Sequence, residues 1–118
     1  MSLKYLQEAE DTLNLDDHTL YIQLGKQLKQ DSFFPTPENK LKRLAIEWMN
    51  TRIQDFQNLI CNKESIKKIA KEETVLLIAV ITDIIAAKWN LTNPATVAAL
   101  IVRLGISKLC SENLKFNE

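Results

Sequence analysis

The sequence predicts an all-α protein, a single-domain bundle of four to five helices with a strongly apolar C-terminal helical hairpin. The 118 residues include only two Gly and three Pro, too few for the many turns of an all-β fold. Leu (17) and Ile (12) dominate the apolar residues and recur at helical spacing. Residues 1–118 have the length of one domain, so we expect a single core.

The N-terminal quarter of the chain predicts an acidic segment followed by a helix. Residues 1–15 form an acidic N-terminal arm or a short helix. Asp16 or Asp17 is expected to cap a second helix that extends to about Gln30. Gly25 lies inside this helix, where it costs about 1 kcal/mol relative to Ala.

The third helix has the clearest predicted start. Pro35 and Pro37 forbid a helix through this segment, while Thr36 as N-cap and Pro37 as first helical residue favour a new one. The helix is expected to extend to about Cys61. Its apolar stripe recurs at spacings of three and four residues and consists of Ile46, Met49, Ile53, Phe56 and Ile60.

The apolar hairpin is predicted between residues 74 and 104. The run 75–87 is apolar on nearly all sides and indicates a central helix, but the pattern leaves open whether Glu64–Trp89 is one helix or two. Asn93 as N-cap and Pro94 start the next helix. It either ends at Gly105 or continues to Cys110. Residues 111–118 are expected to be a fraying polar tail.

Asp83 is a carboxylate within this apolar run, where burial without a partner is costly. If the hairpin is antiparallel, Asp83 and Arg103 differ in level by roughly 4.5 Å, which an arginine side chain can span. We therefore expect a structural ion pair between them. The alternative is a pair at a partner-facing edge.

The sequence contains no recognisable catalytic or cofactor-binding motif. One histidine, His18, cannot form a metal site without other ligands, and its neighbours Asp16 and Asp17 indicate helix capping. Two glycines cannot form a phosphate-binding loop. Fifteen basic and fifteen acidic residues cancel, which argues against nucleic-acid binding. We expect a non-enzymatic protein without a metal or cofactor.

Compartment is predicted from the N-terminus and the two cysteines. The first residues have no signal-peptide pattern, so we expect a cytoplasmic protein. In a reducing compartment Cys61 and Cys110 are expected to be free buried thiols. A disulfide or a catalytic thiol is the alternative.

The function predicted from these features is protein–protein interaction, as an adaptor-like module that self-associates as a homodimer or joins a larger complex. The argument is that the helices carry more apolar surface than one small core needs. The candidate surface residues are Leu41, Leu44, Trp48, Met49, Ile53, Phe56, Leu100 and Arg103.

Two other functions remain open. The 74–104 hairpin could enter or lie on a membrane, with a cluster of lysines between residues 63 and 71 attracted to anionic lipid. A small inhibitor or immunity-type protein of a bacterial conflict system is the third candidate. It rests only on small size and the lack of catalytic residues.

Overall fold

The computed structural model describes residues 4–29, 36–69, 73–111 and 115–117. Within these ranges every element of regular secondary structure is an α-helix, which confirms the predicted all-α class. The eight helices are α1 (Leu6–Thr12), α2 (Asp17–Leu28), α3 (Glu38–Thr51), α4 (Ile53–Ile60), α5 (Glu64–Lys67), α6 (Thr74–Lys88), α7 (Ala95–Leu104) and α8 (Ile106–Leu109).

Eight helices exceed the predicted four to five because three of the predicted helical segments are interrupted. The third ends at Thr51, and α4 begins at Ile53 after Arg52 adopts φ −113° and ψ 11°. The Trp48 carbonyl accepts hydrogen bonds from the Arg52 guanidinium at 3.3 Å and the Thr51 hydroxyl at 3.0 Å. The Arg52 backbone N–H therefore donates to Met49 instead, at 3.1 Å. The two side chains thus occupy the Trp48 carbonyl, which would accept from the Arg52 backbone N–H if α3 continued.

The other two interruptions lie between α5 and α6 and between α7 and α8. The short helix α5 ends at Lys67, and α6 begins separately at Thr74, so Glu64–Trp89 is not one helix. Gly105, at φ +105° and ψ 132°, ends α7 before α8 begins. A residue with a side chain rarely adopts this backbone conformation, so the glycine sets the boundary. Of the two predicted ends of this helix, the one at Gly105 is confirmed.

The starts of α2, α3 and α7 agree with the sequence to within one residue. Asp16 caps α2, where its carboxylate accepts a hydrogen bond from the Thr19 backbone N–H at 2.8 Å. The Thr19 side chain, and then the Thr19 backbone N–H, lower the pKa of Asp16 below its usual value by hydrogen bonding to its carboxylate. Pro37 and Pro94, rather than Thr36 and Asn93, occupy the N-cap positions of α3 and α7, and neither supplies a side-chain cap.

Helices α6 and α7 pack against each other, and α1 packs against both. Helix α2 contacts α7 on one side and α3 on the other. The core therefore runs through α6 and α7, which supply five of the largest fully buried apolar side chains, Ile78, Ile81, Ile85, Val97 and Ile101.

Gly25 provides the close approach between α2 and α3. A Cβ atom placed on Gly25 would lie 2.8 Å from the Leu41 Cβ and even closer to the Leu41 backbone. Real Cβ atoms do not approach neighbours this closely, so any side chain would push the two helices apart. The helix-breaking residue predicted to weaken α2 is therefore required by its packing.

The predicted fraying tail is wrong for residues 115–117, because Phe116 is buried at 2% exposure. Its backbone N–H donates to the Asn50 side-chain oxygen at 2.6 Å, and its carbonyl accepts from the Asn50 amide at 3.0 Å. Its ring lies 6.3 Å from that of Phe56 in an edge-on arrangement. The tail therefore closes the core over α3 and α4.

Cys61 and Cys110 form a disulfide, so the prediction of free buried thiols is wrong. Cys61 follows α4 and is half-buried, whereas Cys110 follows α8 and is exposed. The 49-residue separation in sequence gave no indication of this contact. The bond ties the end of α4 to the end of α8.

Replacing Gly25 with alanine should destabilise the protein by about 1–3 kcal/mol, the usual range for overpacking. Helix propensity alone predicts the opposite sign, a gain of about 1 kcal/mol. Urea unfolding followed by circular dichroism distinguishes the two, with exposed Lys26→Ala on the same helix as the control. A stabilised Gly25→Ala variant would show that α2 and α3 do not touch at this point.

Removing the disulfide with Cys61→Ser/Cys110→Ser should lower the free energy of unfolding. For a 49-residue separation, the loop-entropy model gives about 4 kcal/mol. Reduction of the wild type with dithiothreitol should lower the urea midpoint to a similar extent, while the doubly substituted protein should not respond to the reductant. Equal midpoints for oxidised and reduced wild type would contradict the crosslink.

Candidate functional site

The apolar residues of the interaction surface predicted from the sequence are either buried or half-buried. Leu41, Met49, Phe56 and Leu100 are between 0% and 4% exposed. Leu44, Trp48 and Ile53 are half-buried. Helix α2 packs against α3, and Trp48 of α3 joins an aromatic cluster around Phe56.

The aromatic cluster explains where Trp48 lies. Its ring is 6.2 Å from Phe56 and 5.6 Å from Trp89, and the Arg52 guanidinium lies 4.3 Å from its centroid. Trp89 is also 5.4 Å from Phe56. These contacts stabilise the joint between α3 and α4.

Arg103 makes a different ion pair from the predicted one. Its guanidinium lies 3.1 Å from the Asp17 carboxylate and donates to the Thr12 carbonyl at 2.7 Å. Asp83 is exposed on α6. The predicted Asp83–Arg103 pair is therefore wrong, and Asp83 needs no buried partner because water solvates it. The actual pair joins α7 to the start of α2 and the end of α1.

An apolar groove of about 450 Å³ lies between the start of α6 and the junction of α7 with α8. Thr74 and Leu77 line it from α6, and residues 102–108 line it from α7 and α8. The apolar residues of its lining are half-buried side chains, namely Leu77, Val102, Leu104 and Ile106. A cavity of this size is in the range of ligand sites, about 300–1,000 Å³.

A second, more polar pocket of about 160 Å³ adjoins the groove. Arg103, Leu104 and Lys108 line both cavities. The remaining lining residues come from α2, α7 and the C-terminal segment, and they are Asp17, Tyr21, Leu100, Lys115, Phe116 and Asn117.

The Tyr21 hydroxyl group is a permanent hydrogen-bond donor in this pocket. Burial, and then the neighbouring Asp17 carboxylate, raise its pKa to about 12. The hydroxyl therefore stays protonated at neutral pH. It donates to the Asn117 carbonyl at 3.4 Å, which helps to hold the C-terminal segment against α2.

His18 takes part in a polar cluster with neighbours from α3. The Lys42 ammonium donates to its Nδ1 atom at 3.0 Å, and the Glu38 carboxylate lies 3.9 Å from its Nε2 atom. Across the described ranges, no group of three or more potential metal ligands comes together. In the same residues, no helix combines the length and the apolar character needed to cross a bilayer.

Sequence reasoning missed the groove and found part of its lining. It named Gly105 as one of two possible helix ends and Arg103 as a candidate surface residue, and both line the groove. Leu77 belonged to an apolar run without a distinguishable face. The signal that could have located the groove was Gly105, because a helix that ends beside another apolar helix leaves some apolar side chains without neighbours.

Comparison with protein-family models, with curated proteins and with solved structures finds no match to this chain.

Double-mutant cycles should separate the observed ion pair of Arg103 from the predicted one. Asp17→Asn and Arg103→Gln should couple by about 0.2–1 kcal/mol, as expected for a partly exposed pair. Asp83→Asn combined with Arg103→Gln should be additive within about 0.5 kcal/mol. Urea midpoints at low salt provide the measurement, and 1 M salt should shrink the first coupling. Coupling through Asp83 but not Asp17 would support the pair predicted from the sequence.

Proposed function

We propose that this protein is a non-enzymatic interaction module and that a segment of another protein binds in the apolar groove between α6 and the α7–α8 junction. The observation that carries the proposal is the groove lined by Leu77, Val102, Leu104 and Ile106. Grooves of this kind accept the apolar anchors of an amphipathic helix.

The burial pattern favours the groove over the α3 face predicted from the sequence. Among the residues that the structure describes, Leu13 is the one large apolar side chain that is largely exposed, at 46%. Because the α3 stripe packs within the protein, it has little surface left for a partner. The groove retains half-buried apolar side chains around an open space, which a partner could desolvate further.

The concave shape also favours a different protein over a second copy. A symmetric dimer needs a surface that is complementary to itself, and a groove that faces a groove leaves a void. We therefore propose a monomer that binds a partner, in place of the homodimer expected from the sequence. Light scattering at micromolar concentration tests this point.

The disulfide bears on the proposed compartment. The sequence led us to expect a cytoplasmic protein, but disulfides persist mainly in oxidising compartments. We infer that the protein functions where Cys61 and Cys110 remain oxidised. A membrane-surface role for the proposed α6–α7 hairpin is less well supported, because those helices form the core and α1 packs on both.

Rapid acid quenching of cells, followed by thiol alkylation and mass spectrometry, tests the compartment. The expected result is unmodified Cys61 and Cys110 until a reductant is added, because both sulfur atoms are in the disulfide. Complete alkylation without reductant would restore the cytoplasmic expectation. A protein of the same cells with known free thiols is the control for quenching.

Binding through the groove can be tested with helical peptides selected from a displayed library on the oxidised protein. Leu77→Gln should weaken the selected peptides at least about tenfold, since it places an amide in the apolar lining. Leu76→Gln is the matched control, because Leu76 is also half-buried on α6 but does not line the groove. Fluorescence polarisation gives both affinities.

Circular dichroism must show that the two variants are equally folded. Failure to select any peptide, or equal affinity for both variants, would contradict the proposed function.

A further inference from the structure

The polar pocket beside the groove has an excess of positive charge. Among the described residues that line it, one carries a carboxylate, Asp17, and three carry cations, Arg103, Lys108 and Lys115. Asp17 is already paired with Arg103 at 3.1 Å. Lys108 and Lys115 therefore supply positive charge that no other described residue of the lining balances.

Neither lysine has a carboxylate within ion-pair distance among the described parts of the chain. Both are exposed, so water solvates them in the free protein. Lys108 lines the groove as well as the pocket, which places a cation at the boundary between apolar and polar surface. An occupant of the groove would bring its own groups close to this cation.

The size of the pocket limits its occupant, and the lysines are its donors for an anion. The Tyr21 hydroxyl already donates its one hydrogen to the Asn117 carbonyl at 3.4 Å. The pocket is too small, at about 160 Å³, for a second helix, but it can hold a short side chain or a chain terminus.

We propose that the partner is an acidic amphipathic segment: its apolar side chains fill the groove, and a carboxylate next to them occupies the pocket against Lys108 and Lys115. This inference rests on the proposed function and specifies the chemistry of the partner. The carboxylate is a Glu or Asp side chain or a free C-terminus. Charge of this kind sets specificity and the association rate more than raw affinity.

The peptide selection described above provides the test. Peptides recovered on the oxidised protein should be enriched in Asp or Glu at one position flanking the apolar anchors. Lys108→Gln/Lys115→Gln should weaken them roughly tenfold, the effect of losing two exposed charge pairs. Replacing the peptide carboxylate by its amide should weaken binding to the wild type by the same factor. The same replacement should cost little further affinity for Lys108→Gln/Lys115→Gln, which lacks both cations.

The charge-matched control is Lys40→Gln/Lys63→Gln, which removes two exposed lysines that line neither cavity. This control should bind like the wild type. Equal losses in the two double variants would show a general charge effect and overturn the inference.

The remaining outcomes separate the two proposals. Peptides that need Leu77 but carry no acidic preference would overturn the acidic partner and leave the groove intact. Absence of Leu77-dependent peptides would overturn both. Decanoate and vesicles of anionic lipid are two further probes of the site. Either probe would assign the site to a lipid, and overturn the inference, if it bound more tightly than every selected peptide and lost this binding in Lys108→Gln/Lys115→Gln.

Discussion

The docking of α8 against α4 determines the shape of both cavities. Helix α8 has only four residues, too few to form a stable helix alone, so tertiary contacts must hold it. Leu109 is fully buried, and the Gln57 side-chain amide donates to the Leu109 carbonyl at 2.8 Å. The Cys61–Cys110 bond adds a covalent link at the next residue. Because α8 carries Ile106 and Lys108, these contacts also position one wall of the groove and the lysine cation shared by both cavities.

The rest of the core is closed by segments that lie far apart in sequence. Asn50 in α3 binds both backbone groups of Phe116, and the ring of Phe116 contacts Phe56. Gln27 in α2 makes similar contacts with the connection before α7, where its side chain accepts from the Asn93 N–H at 2.9 Å and donates to the Asn93 carbonyl at 3.2 Å. In both places a single amide side chain satisfies a backbone donor and acceptor, which lets a non-helical segment lie against the core.

Local chemistry made part of this structure predictable from the sequence. Asp16 caps α2 because a short acceptor side chain can reach the Thr19 N–H, and proline marks the start of α3 and α7. The break at Arg52 has no such signal, since it depends on how Arg52 and Trp48 meet in three dimensions. The disulfide and the burial of Phe116 are likewise tertiary events between segments with no pairing pattern. Gly105 marks the helix break beside the groove, but the groove itself was missed because its lining residues come from separate helices.

The two glycines of the chain are required for different reasons, and the difference connects packing to the candidate site. Gly25 lies within a helix and has no room for a side chain, so it serves the contact between α2 and α3. At Gly105 a Cβ atom would meet nothing within 4 Å, but the φ of +105° is one that other residues rarely adopt. The first glycine allows two helices to approach, and the second makes α7 and α8 diverge.

The divergence at Gly105 leaves Val102, Leu104 and Ile106 around an open space that a straight helix would not create. The groove is therefore a consequence of one backbone conformation, held in place by Leu109 and the disulfide at the end of α8.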